Sequence, residues 1–145
     1  MKYTLFCLTL LVFTFSACKK EDDKETILDV NETNVKNTIT DGLWFVSKFD
    51  DGGFDETSYF VGYNFNFTND YEVVVTKTGE SDDIGEWETD FDSDNRVQLY
   101  INFHSGSNVL DAENTWYISE LTNKRIVLKE QLNANNSETL EFTKQ

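Results

Sequence analysis

Apolar and polar residues alternate along most of this chain. Tyr63, Phe65 and Phe67 are separated by Asn64 and Asn66, and Val97, Leu99, Ile101 and Phe103 repeat the pattern. A period of two is that of a β-strand with one buried face. The same reading places Trp44 and Val46 on one face of a first strand, with Phe45, Ser47 and Phe49 opposite. Tyr71, Val73 and Val75 resume the pattern after the polar break Thr68-Asn69-Asp70, which predicts a hairpin. Four further segments complete about eight short strands. They are residues 84–90 around Trp87, the stretch with Trp116 and Ile118 on one face and Tyr117 opposite, residues 125–131, and residues 138–144 with Leu140 and Phe142 inward. Before Ile39 the rhythm differs. Ile27, Leu28, Val30 and Val35 fit a short helix near residues 31–37, with Asn31 or Thr33 as its cap.

Short sequential strands joined mainly by polar turns predict an all-β domain. The expected form is an eight-stranded antiparallel up-and-down barrel, because closure removes exposed strand edges. A β-sandwich is the alternative. The chain has no proline, so Gly, Asn and Asp must form its turns.

The N-terminus has a different character. Lys2 precedes an apolar run over residues 5–15, shorter than the roughly 20 residues that span a bilayer. It fits the apolar part of an export signal. Phe15-Ser16-Ala17-Cys18 resembles the bacterial lipobox. That resemblance implies cleavage before Cys18, acylation of Cys18 and attachment to a membrane. Burial is worth about 0.8 kcal/mol per methylene, so two or three acyl chains would hold where one is marginal. Cys7 would leave with residues 1–17, and the mature domain would contain no free thiol and no disulfide. Residues 19–25 are a dense charge run with nothing apolar to bury, so residues 18–30 are expected to form a flexible tether. Acids this close to the cysteine also resemble the surface-export signal of Bacteroidota-type lipoproteins. This implies the outer face of the outer membrane, with the periplasmic face as the alternative. The barrel domain is then residues 31–145.

Charge narrows the partners. The chain carries 27 acidic and 12 basic residues, a formal charge of −15, and loss of Lys2 with the signal makes it −16. Nucleic-acid binders need Lys/Arg patches to neutralise phosphates, so no nucleic-acid partner is expected.

Several motifs together resemble the lipocalin superfamily across residues 38–144. They are Gly42-Leu43-Trp44 at the first strand, the aromatic strand of Tyr63, Phe65 and Phe67, Gly85 to Trp87, Trp116 to Ile118, and Leu140 to Phe142. The resemblance implies that Trp44 plugs one end of a barrel. It also implies that Arg125 or Lys124 packs over Trp44, a cation–π contact worth about 0.5–2 kcal/mol. A lipocalin-like domain suggests non-enzymatic binding of a small apolar ligand, for which Trp44, Tyr63, Phe65, Phe67, Tyr100 and Trp116 are candidate lining residues. One fold hosts many functions, however. An eight-stranded barrel is either filled by side chains or holds one small ligand. The alternative is therefore a filled barrel acting as a structural or protein-interaction module through acidic loops. An apolar cavity above about 300 Å³ would favour the ligand binder.

Candidate chemistry is sparse. Asp90, Asp92 and Asp94 alternate in a loop and could give a weak Ca²⁺ site. The EF-hand pattern fails further on: Asn95 stands where Gly is needed, and Ile101 where Glu is needed. His104 is the sole histidine, too few for a zinc site without cysteine. Ser105 and Ser107 lie close to it, with no nucleophile-elbow motif. Glu86 and Glu88 flank Trp87, an arrangement that could bind a sugar ring or act as a general-acid pair, but the expected reading is a polar outer face beside a core Trp. No enzymatic activity is expected, and no cofactor beyond that weak Ca²⁺ site.

Overall fold

The computed structural model describes residues 24–104, 106–132 and 137–145. The export signal, Cys7, Cys18 and residues 19–23 lie outside them. The described residues form a short helix, α1 (Glu32–Ile39), and nine strands: β1 (Trp44–Asp51), β2 (Phe54–Asp55), β3 (Asn64–Phe67), β4 (Glu72–Thr76), β5 (Asp83–Phe91), β6 (Val97–Phe103), β7 (Asn114–Leu121), β8 (Arg125–Lys129) and β9 (Thr139–Lys144). Eight of them close into an antiparallel barrel in sequence order, because β1 pairs with both β3 and β9. The two-residue β2 only folds back on the end of β1. The all-β barrel with a short N-terminal helix is the architecture the alternation predicted.

The barrel has two ends. At one lie the start of β1, the end of β9, the β3–β4, β5–β6 and β7–β8 turns, and α1. Asn31 caps α1 by accepting the Asn34 N–H at 2.9 Å, and the helix turns Val35 and Ile39 into the core. At the far end two 3₁₀ turns, Thr57–Phe60 and Leu110–Ala112, carry the buried Phe60 and Ala112, and Val109 is buried beside the second. Both mouths are therefore stoppered by the chain's own apolar side chains.

Strand alternation fills the interior, with two interruptions. In β1 the register to β9 shifts between Val46 and Lys48, and in β7 the register to β8 shifts between Ile118 and Glu120. Each bulge adds one residue and reverses the faces. Phe49, expected opposite Trp44 and Val46, consequently joins them in the core, and Leu121 turns inward after Ile118. Tyr71 also departs from expectation. It lies in the turn before β4 with φ of +64°, half-exposed, and does not share the inward face of Val73 and Val75. The segment between β1 and β3 was not resolved by periodicity at all, since β2 and its 3₁₀ turn are too short to show a period.

Gly85 marks a close approach. It faces inward opposite Phe103, where a Cβ would lie 2.6 Å from the Phe103 ring and closer still to the Asn102 carbonyl. The strand can bend here because residue 85 has no side chain.

Candidate functional site

The proposed lining residues divide into two groups. Trp44, Phe65, Phe67 and Trp116 are fully buried and Tyr63 nearly so, whereas Tyr100 lies on the outer face opposite Glu88. Phe65 packs edge-on against Phe142 with ring centroids 5.0 Å apart, and Phe67 meets Phe142 at 5.7 Å and Trp87 at 6.0 Å. These spacings are those of aromatic pairs in contact. The indoles are anchored as well: Trp44 Nε1 donates to the Ile39 carbonyl at 2.8 Å, Trp116 Nε1 to Ala112 at 3.0 Å, and Trp87 Nε1 to Thr68 at 3.1 Å. Trp44 thus joins the barrel to α1 and Trp116 joins it to the far-end turn. Tyr63 donates its hydroxyl to Glu80 at 2.9 Å while Lys77 lies 4.3 Å above its ring. Burial, reinforced by Glu80, pushes the Tyr63 hydroxyl up.

Arg125 does not pack over Trp44. It faces outward and meets Glu120, Glu141 (3.4 Å) and Glu25 (3.5 Å). Partial burial pulls its pKa down, but the surrounding glutamates outweigh that and hold it up.

In the acidic loop, a cation of the chain itself meets the carboxylates. Asp92 Oδ1 accepts the Asp94 and Arg96 N–H groups, each at 2.9 Å, and Asp92 Oδ2 lies 2.6 Å from the Arg96 guanidinium. Asp94 contacts the same guanidinium at 3.0 Å, while Asp90 bonds the Phe91 N–H at 2.7 Å. The Arg96 side chain, then its N–H, holds the Asp92 carboxyl below its ordinary range. Among the described residues, no group of three or more His, Cys, Asp or Glu is placed to hold a metal ion. The spacing Asp92 to Arg96, four residues across a tight turn, was the signal for this closure.

The outer face of β4–β6 carries a groove of about 400 Å³. Tyr71, Ile84 and Tyr100 give it apolar surface, and Asp70, Glu72, Glu86 and Glu88 make it acidic. Glu72 stands directly opposite Glu86 across the β4–β5 pair. Like charges in that position are destabilising. Trp87 lies beneath, buried, so Glu86 and Glu88 flank its strand position but not an exposed indole. His104 ends the groove, with Nδ1 2.8 Å from the Ile84 carbonyl. Ser107 uses its hydroxyl oxygen to accept the Val109 N–H at 3.2 Å, and Ser105 lies outside the described residues.

The N-terminal segment is engaged earlier than expected. From Lys24 to Leu28, within the stretch read as tether, it lies along the β7–β8 turn, and Ile27 bridges to Thr122. Among the described residues no helix is long and apolar enough to cross a membrane.

Neither a protein-family model nor a curated protein matches the sequence. By structure, the chain is similar to the crystal structure of a DUF4847 family protein from Bacteroides vulgatus, with a TM-score of 0.52 and 16% identity. The match covers 77% of this chain and 97% of that one, and at this identity it is a likeness of fold.

Proposed function

We propose that the chain is a lipid-anchored envelope protein whose barrel is a packed, non-catalytic scaffold that binds a protein partner through its outer face. The observation that supports this most is the burial of Trp44, Phe65, Phe67, Trp116 and Tyr63 in one apolar core between two stoppered mouths. Admitting a small apolar ligand means displacing those rings. Opening a 300 Å³ cavity at about 24 cal/mol per Å³ costs about 7 kcal/mol. That is comparable with the whole stability of a domain of this size, about 5–15 kcal/mol.

The β4–β6 groove is the contacting surface in this reading. Its half-exposed Tyr71 and Ile84 offer apolar area, and a partner presenting Lys or Arg would relieve the opposed Glu72 and Glu86. The anchor rests on the lipobox-like residues 15–18, and the outer-membrane surface on the acids that follow Cys18.

Two experiments test the proposal. Titration of the domain with the apolar probe N-phenyl-1-naphthylamine should show no saturable binding; stoichiometric uptake contradicts the packed scaffold. A photo-crosslinking residue placed at Tyr100 in cells should yield a discrete adduct, lost on Glu86→Lys with Glu88→Lys. No adduct, or one indifferent to those charges, contradicts the groove as the contact surface.

A further inference from the structure

We propose that the α1-capped end of the barrel faces the bilayer and that the far end, with the 3₁₀ turn at Thr57–Phe60, points away from it. This rests on the anchoring at Cys18 proposed above. The reason is where the chain first docks. Thr26 and Asn123 exchange two hydrogen bonds: Asn123 N–H to the Thr26 carbonyl at 3.2 Å and Thr26 N–H to Asn123 Oδ1 at 2.8 Å. Leu28 N–H donates to the Leu121 carbonyl at 2.9 Å, and Glu25 accepts from the Thr122 hydroxyl at 2.9 Å. Thr122 is itself almost fully buried and also accepts the Lys124 and Arg125 N–H groups at 3.1 and 2.8 Å. The attachment is therefore built into the β7–β8 turn, at the capped end.

Chain length converts this attachment into an orientation. Five residues separate Cys18 from Lys24, six Cα–Cα steps with a reach of at most about 20 Å. A free run to Asn31 would be thirteen steps and about 45 Å, enough to let the barrel turn either end to the membrane. The longest strand has nine residues, so the barrel is about 30 Å long at most. With the short tether, the capped end is always the nearer one unless the whole domain folds over.

Charge separates the two ends only by degree. At the capped end Lys24, Lys36, Arg96, Lys124, Arg125 and Lys144 stand beside an excess of acids, and Arg96, Arg125 and Lys144 are paired with them. At the far end Lys77 and Lys129 face a larger excess, including Asp50, Asp51, Asp55 and Glu56. Anionic lipid therefore repels the far end more than the capped one. Exposed apolar side chains occur at both, Ile27, Val30 and Leu43 at the capped end and Phe54, Tyr59 and Val61 at the other, so the orientation rests on the attachment and the tether length.

The test uses the full chain, produced in cells that process it and reconstituted in phosphatidylethanolamine/phosphatidylglycerol vesicles with a rhodamine-labelled headgroup. With Cys18 acylated, a single introduced thiol takes the donor dye. Asn37→Cys reports the capped end and Ser58→Cys the far end; both positions are exposed. Energy transfer from position 37 should be at least about twofold more efficient than from position 58. A flexible twelve-residue Gly/Ser insertion after Asp23 should make the two efficiencies converge without altering the fold. Equal or reversed efficiencies in the uninserted, vesicle-bound protein overturn the orientation while leaving the anchor intact. Protein that does not float with the vesicles overturns the anchor and the orientation with it.

Discussion

The indole Nε1 of Trp44 donates to the main-chain carbonyl of Ile39 at 2.8 Å, and both residues are fully buried. One hydrogen bond thus ties the first barrel strand to the last residue of the capping helix. Trp44→Phe keeps a large ring but leaves that carbonyl without its donor. The expected loss is about 1–3 kcal/mol, read as a lowered urea midpoint with unchanged slope. An unchanged midpoint would mean that α1 is not held through Trp44.

Gly85 should tolerate no side chain. Its missing Cβ is the space occupied by the Phe103 ring and the Asn102 carbonyl. Gly85→Ala forces β5 from β6, and overpacking of this kind costs about 1–3 kcal/mol. Thermal unfolding of the variant measures it, and pairing with Phe103→Leu should recover part of the loss.

The Asp92–Arg96 contact gives a pH dependence of known sign. Asp92 titrates below its ordinary value of 3.8 in the folded state. Its stabilising effect is therefore present above pH 3.8 and is lost as pH falls through the lowered folded value. Arg96→Gln should remove that contribution, so that the two proteins differ near neutral pH and converge in strong acid. Because Arg96 already occupies the Asp92 and Asp94 oxygens, millimolar Ca²⁺ should leave the melting temperature unchanged. A rise would restore the loop as a Ca²⁺ site.

Glu138 titrates in the opposite sense. Burial first, then Glu130, Asp51 and Asp111, raises its carboxyl above the ordinary 4.5. Its ionised form is disfavoured in the folded state, a penalty that is full above the raised value and absent below pH 4.5. Glu138→Gln should accordingly raise the melting temperature at pH 7 and leave it unchanged near pH 4. A gain at both pH values would point to packing instead of charge.

What the sequence disclosed follows from what produces a periodic signal. β3 and β6 each bury one clean face, so Phe65, Phe67, Leu99 and Ile101 could be placed inward from spacing alone. The bulges at Val46/Lys48 and Ile118/Glu120 left no mark, because an inserted residue looks like ordinary polar sequence. Tyr71 was misplaced because nothing in its neighbours announces a positive φ. Docking of residues 24–28 was invisible for a related reason: it uses mainly main-chain groups and the Asn123 amide. The aromatic residues were recognised as a set. Their identities could not distinguish a lined cavity from a packed core; that depends on the plugs at the two mouths, Val35 and Ile39 at one and Phe60, Val109 and Ala112 at the other.

The central claim, a lipid-anchored barrel that is its own filling, is tested most directly by native mass spectrometry of the protein extracted from its membrane in mild detergent. The predicted species is residues 18–145 carrying two or three acyl chains, with no further mass lost on collisional activation. A chain that still begins at Met1, or lacks acyl chains, contradicts the anchor. A small apolar molecule released at stoichiometric amount contradicts the packed barrel.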